Sequence, residues 1–144
     1  MRIFTYSISI ARPREAVFDF FLDLEQAARW RKFVRTMQPL TPGAIHAGSR
    51  IHTTWDLSDG EYVRDLEVLA CDRPILWRHT VDEVDYHTIV EYRFEPEASG
   101  TRVTMRCDVK PVGVYGWLGL PLLRMWRDEI YRDQLPQLKR ALEE

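Results

Sequence analysis

Between residues 49 and 110 the chain runs through one local pattern five times, with almost nothing in between. Apolar and polar side chains alternate over 49–58, 61–71, 75–82, 86–95 and 101–110. The connections are Asp59-Gly60, Arg73-Pro74, a turn near Val84-Asp85, and Ala98-Ser99-Gly100. Alternation with period two marks strands that bury one face. Connections this short join only antiparallel neighbours, because a parallel crossover needs a dozen residues or more. This stretch is therefore an antiparallel meander.

The flanks complete the fold class. IFTYSISIA (3–11) reads as a first strand with Phe4, Tyr6, Ile8 and Ile10 on one face. Pro13 then opens a helix, PREAVFDFFLDL, at a position where proline is tolerated; Val17, Phe18, Phe21 and Leu22 form its buried stripe. A second short helix, EQAARWRKF, and a loop at 39–48 follow. From Val112 the pattern turns helical, with Leu123, Trp126, Ile130, Leu138 and Leu142 near helical spacing. Pro121 and Pro136 are expected to bend or interrupt that helix. The expectation is an α+β fold: two short helices after the first strand, then a curved, six-stranded antiparallel sheet wrapped around a long C-terminal helix. The 144 residues suit a single domain, 1–144.

Register follows from the turns. With Asp59-Gly60 as the two central turn residues, Ser58 faces Glu61, Leu57 faces Tyr62 and Trp55 faces Arg64. Carried across the sheet, the inner face holds Ile51, Thr53, Trp55, Leu57, Tyr62, Arg64, Leu66, Val68, Ala70, Trp77, His79, Val81, Thr88, Val90, Tyr92, Phe94, Val103, Met105, Cys107 and Val109. Two rows stand out, Trp55–Arg64–Glu83 and Ile51–Val68–His79–Val90–Cys107. Cys71 and Cys107 fall on opposite faces, so no disulfide is expected.

Charge and motifs exclude several classes. The formal net charge is −2 and there is no long basic run, which argues against nucleic acid. The most apolar stretch, VGVYGWLGLPLL (112–123), is too short and too rich in glycine and proline for stable membrane insertion. The first residues lack a signal-peptide core, and a cytoplasmic protein with reduced cysteines is expected. His46, His52, His79 and His87 lack close ligand spacing, so no metal is expected. Gly113, Gly116 and Gly119 do not form a phosphate loop, no nucleophile signature is present, and no cofactor is implied.

A strongly curved sheet gripping one helix leaves space that side chains do not fill, typically some hundreds of Å³ in ligand-binding proteins. Its expected lining is Trp55, Tyr62, Arg64, Leu66, Trp77, His79, Val90, Tyr92 and Met105. Trp117 and Trp126 face either this cavity or a partner chain, which leaves a homodimer open. Arg64 is either a clamp on a ligand oxygen or a structural partner of Glu83 with its stem over Trp55; the structural role is preferred. His79 is either a general acid/base or a hydrogen-bonded core histidine, again with the structural role preferred.

Four segments carry a resemblance: ISIARPREAVFDFFLDLEQAARW (8–30), EVLACDRPILWRH (67–79), YRFEPEASGTRVTMRCDV (92–109) and LPQLKRALEE (135–144). Together they make the chain similar, over essentially its whole length, to the polyketide cyclase/dehydrase-like branch of the START-like (SRPBCC, helix-grip) superfamily. The resemblance implies a cavity between sheet and helix that holds a small hydrophobic ligand, lipid or polyketide-like. In cyclase members of that family, polar cavity residues direct aldol closure or dehydration. The resemblance places no catalytic motif on this sequence; in the second reading, a cyclase or dehydratase, the inward-facing His79 moves protons while Arg64 or Tyr92 stabilises an enolate. A non-catalytic interaction module, as in co-chaperone members, is the third reading.

Overall fold

Residues 1–144 are described by a computed structural model. The elements are β1 (Arg2–Ile10), α1 (Arg14–Leu22), α2 (Ala27–Trp30), β2 (Val34–Pro39), β3 (Arg50–Leu57), β4 (Gly60–Asp72), β5 (Leu76–Glu83), β6 (Tyr86–Glu97), β7 (Gly100–Pro111), α3 (Gly113–Tyr131) and α4 (Gln134–Glu143). All seven strands form one antiparallel sheet in the order β1-β7-β6-β5-β4-β3-β2.

The sheet has seven strands, not six. The additional strand is β2, whose period-two signal is hidden by an irregularity between Val34 and Thr36. Val34 and Met37, three residues apart, both point inward, opposite Trp55 and Thr53. A bulge lets two inward residues lie at an odd spacing, which alternation alone does not reveal.

Two register corrections follow the same physics. The β3–β4 turn is Ser58-Asp59, with Leu57 paired to Gly60 at φ +133°, so Trp55 faces Tyr62 and Thr53 faces Arg64. The shift is two residues, which keeps every side chain on its expected face. In β4, the pairing of Val68 with His79 is as expected, but a bulge at Leu69 then places Ala70 opposite Arg78 and Cys71 opposite Trp77. The bulge turns Cys71 to the same face as Cys107. Both thiols are free. Beyond it, Val68, His79, Val90 and Cys107 stand in one row across four strands.

The sheet must curve. Tyr6 of β1 donates a hydrogen bond to Asp128 of α3, and the Tyr62 ring of β4 lies edge-on to Trp126 of the same helix, centroids 5.6 Å apart. Four inter-strand spacings separate β1 from β4, roughly 19 Å in a flat sheet, wider than a helix about 10 Å across. One helix reaches both only if the sheet wraps it. Under the other half of the concave face, Phe18 and Phe21 of α1 pack on Phe94, Tyr92 and Trp77, with centroids 4.8, 4.7 and 5.5 Å apart.

The C-terminal helix is two helices. α3 continues through Pro121, and the break falls at Arg132-Asp133, just before Pro136. Without an N–H, Pro136 cannot bond the Arg132 carbonyl, and it sits in the first turn of α4, where that loss is harmless. Gly116 and Gly119 bring α3 close to the β5–β6 turn. A Cβ on Gly116 would stand 2.6 Å from the Asp85 carbonyl oxygen.

Candidate functional site

The space between sheet and α3 is nearly filled. In place of the expected hollow of some hundreds of Å³, two small voids of about 20 and 10 Å³ remain, each room for roughly one water molecule. The outer void is lined by Leu57, Tyr62, Val81, Glu83, Trp126, Arg127 and Ile130; the inner by Arg31, Val34, Met37, Thr53, Leu66, His79 and Gln134. Trp55 and Tyr131 line both and form the partition between them. The outer void shares Leu57, Trp126 and Ile130 with a surface groove of about 200 Å³ that runs between the Ser58-Asp59 turn and α3. Groove, outer void and inner void thus follow one another from solvent to core.

The polar groups here come from different elements. Arg127 sits on the inward stripe of α3, between Leu123 and Ile130 at helical spacing, and is 2% exposed. Its Nη2 donates to Glu83 Oε1 at 2.5 Å, which supplies the countercharge that a buried guanidinium needs. Arg31 follows α2 directly and is 5% exposed. It has no carboxylate partner. Its guanidinium instead lies 4.2 Å from the Trp30 ring, 5.0 Å from Phe21 and 5.6 Å from Tyr92, a cation–π setting that offsets part of the desolvation. Nε of Arg31, Nε of Arg127 and Oγ1 of Thr53 are buried without a hydrogen-bonding partner.

His79 is 2% exposed, and its Nδ1 accepts the indole N–H of Trp77 at 2.8 Å. That bond requires a ring with the lone pair on Nδ1 and the proton on Nε2. Burial pulls its pKa down to about 3, and the charges of Arg31 and Arg127 add to the shift. At neutral pH His79 is therefore an uncharged hydrogen-bond donor through Nε2. The Tyr62 phenol is pushed up to about 12 by burial and then by Glu83. The Tyr92 phenol is raised by burial, against the opposing charge of Arg31, and donates to Gln134 Oε1 at 2.6 Å.

The candidate residues divide into three groups. Trp55, Tyr62, Leu66, His79 and Trp126 stand around the two voids. Trp77, Val90, Tyr92 and Met105 are fully packed in the core and line neither void. Arg64 and Trp117 lie outside. Arg64 does not meet Glu83; it sits 4.0 Å over the Tyr62 ring and donates to the Val63 carbonyl, while Glu83 belongs to Arg127. The two-residue register shift separates Arg64 from Trp55, and the β4–β5 ladder ends at Glu67–Thr80, short of Arg64 and Glu83. Trp117 is 57% exposed on the outer side of α3.

Sequence reasoning missed Arg31, Arg127, Tyr131 and Gln134. For Arg127 a signal existed, since a cation at helical spacing between Leu123 and Ile130 lies on the apolar stripe. For Arg31, in a run of aromatic and basic residues, nothing in the local pattern separates the inward cation from its neighbours.

A family model described as polyketide cyclase / dehydrase and lipid transport matches residues 1–143. No curated protein matches the chain. Among solved structures, a START superfamily protein from Mycobacterium smegmatis superposes with a TM-score of 0.76 at 13% identity, covering 97% of this chain and 96% of that one. The di-domain ARO/CYC BexL from the BE-7585A biosynthetic pathway gives 0.79 at 16% identity, over 98% of this chain and 50% of that one. A protein from Thermus thermophilus, TTHA0849, gives 0.75 at 21% identity, over 96% and 94%. At these identities the neighbours speak for the shared fold alone, a helix grip with an open antiparallel sheet. No helix here is long and apolar enough to cross a membrane. With the match spanning all but the last residue, the chain belongs to the polyketide cyclase / dehydrase and lipid transport family.

Proposed function

We propose that this protein binds a small hydrophobic or aromatic molecule, lipid or polyketide-like, between the sheet and α3, with the groove beside Trp126 as its mouth. The reading is carried by the stranded polarity of the interior: Arg31 Nε, Arg127 Nε, Thr53 Oγ1 and Thr88 Oγ1 are buried and unpaired. Each such group costs about 1–3 kcal/mol, and a core that only had to pack would be more stable with apolar atoms in their place. The family match and the mostly apolar lining of the outer void support the same reading. Because the voids are small, a ligand has to move the Trp55–Tyr131 partition, selecting a more open state of the grip. Native mass spectrometry of protein purified from its own host tests this. A retained apolar molecule of defined mass is expected; no adduct, together with no saturable uptake of hydrophobic probes, overturns it.

A cyclase or dehydratase is the second reading, favoured by the Nε2–H of His79 beside Arg31. In that version the neutral imidazole polarises a substrate carbonyl and the guanidinium stabilises the developing enolate. A protein-interaction module, or a homodimer, is favoured instead by the exposed apolar side of α3, where Tyr115, Trp117, Leu118, Leu122 and Met125 all face solvent.

A further inference from the structure

The interior holds an imbalance of charge. Two guanidinium groups, Arg31 and Arg127, are each at least 95% buried, against one carboxylate, Glu83. Glu83 is engaged by Arg127 in the outer void, and no Asp or Glu is in salt-bridge reach of Arg31. The inner void therefore presents donors and an unbalanced positive charge: Arg31 Nε and Thr53 Oγ1, both buried without a partner, and the neutral ring of His79. The path leading to it is apolar and aromatic, through Trp126, Tyr62 and Trp55.

We propose that the inner void receives an anionic oxygen at the end of the ligand's apolar body, a carboxylate or an ionised enol or phenol, with Arg31 as its counter-ion. The proposal rests on the ligand-binding reading above and names the chemical class. A guanidinium without an internal carboxylate is stabilised by an anion that arrives from outside, and charge-assisted hydrogen bonds are about twice as strong as neutral ones. The aromatic rings around Arg31 hold the cation in place before the ligand comes, so little reorganisation is needed at that end. The body then lies where the Trp55–Tyr131 partition and the outer void stand, with its far end at the groove.

Matched probes test this: decanoate against 1-decanol, and 2-naphthoate against 2-naphthalenemethanol, each titrated calorimetrically into the whole chain. The acids are expected to bind about ten- to a hundredfold more tightly than the alcohols. Arg31→Met removes the preference, Arg31→Lys keeps part of it, and Arg124→Met on the outer side of α3 leaves it unchanged. Urea denaturation of each variant separates loss of binding from loss of fold; if Arg31→Met is unfolded, the wild-type preference and the lysine variant decide. Acid and alcohol binding equally overturns the proposal while leaving the ligand-binding reading intact. A preference that survives in Arg31→Met but vanishes in Arg124→Met also overturns it, by placing the anion on the surface. No binding of any probe overturns the proposal for these classes and counts against ligand binding itself.

Discussion

Arg127 reaches from α3 across the grip to Glu83 at the end of β5, with Nη2 donating to Oε1 at 2.5 Å and the arginine side chain only 3% exposed. This pair joins helix to sheet at the outer void. Removing one member leaves a buried charge, which typically costs about 3–5 kcal/mol. Because Glu83 keeps 17% of its side chain in solvent, the low end applies: Glu83→Ala is expected to lower unfolding stability by about 3 kcal/mol in urea. A loss below about 1 kcal/mol would mean that water screens the pair as it does a surface bridge.

The buried neutral His79 makes stability depend on pH in a defined direction. Its folded pKa is depressed to about 3 from an ordinary 6.5. As pH falls below 6.5 the unfolded chain takes up a proton that the native ring refuses, so stability falls, and the effect levels off only near the folded value. Between about pH 7 and pH 5 this amounts to about 2 kcal/mol. Comparing wild type with His79→Gln, a side chain able to accept from Trp77, isolates it. Equal slopes in the two proteins would show that His79 titrates normally.

Burial raises both thiols, that of Cys107 up to about 12. Cys71 is partly exposed while Cys107 is fully buried. Iodoacetamide at about pH 8 is expected to label Cys71 slowly and to spare Cys107 until the protein unfolds. Mass mapping of the alkylated peptides reads the order directly, and early labelling of Cys107 would contradict a closed interior.

Gly116 and Gly119 both face the β5–β6 turn, yet they should respond differently to alanine. The Cβ at 116 meets the Asp85 carbonyl, which is held in place by the Val112 N–H at 2.8 Å. Gly116→Ala should cost about 1–3 kcal/mol even after the helix-propensity gain of about 1. The Cβ at 119 meets the terminal hydroxyl of Tyr86, which can swing away. Gly119→Ala should be near neutral; similar losses at both positions in denaturant melts would refute the distinction.

Arg64, the cation on the inward face of the β3–β4 hairpin pattern, should matter little. It stacks on Tyr62 and bonds a carbonyl at the surface, a contact worth about 0.5–1 kcal/mol. Arg64→Ala is expected to change stability by less than about 1 kcal/mol and to leave probe binding as it was. A large loss of affinity would return Arg64 to the site.

What could be read without coordinates follows from local periodicity. The five alternating runs and their short turns dictate an antiparallel meander, and the inward identity of Ile51, Trp55, Leu66, His79, Val90 and Cys107 survives because a hairpin slip of two residues changes partners and not faces. β2 and the bulge at Leu69 escaped because an extra residue breaks the very alternation by which strands are recognised. The site depended on more distant geometry. Arg31, Glu83 and the Arg127–Tyr131 turn of α3 come from three parts of the chain far apart in sequence, and no spacing along it encodes that the three meet. Whether the grip encloses a wide hollow or two voids of single-water size is likewise decided by how Trp55, Trp126 and Tyr131 pack against one another. Local pattern settles which face of each element turns inward; only tertiary packing settles which inward groups touch, and how much room they leave.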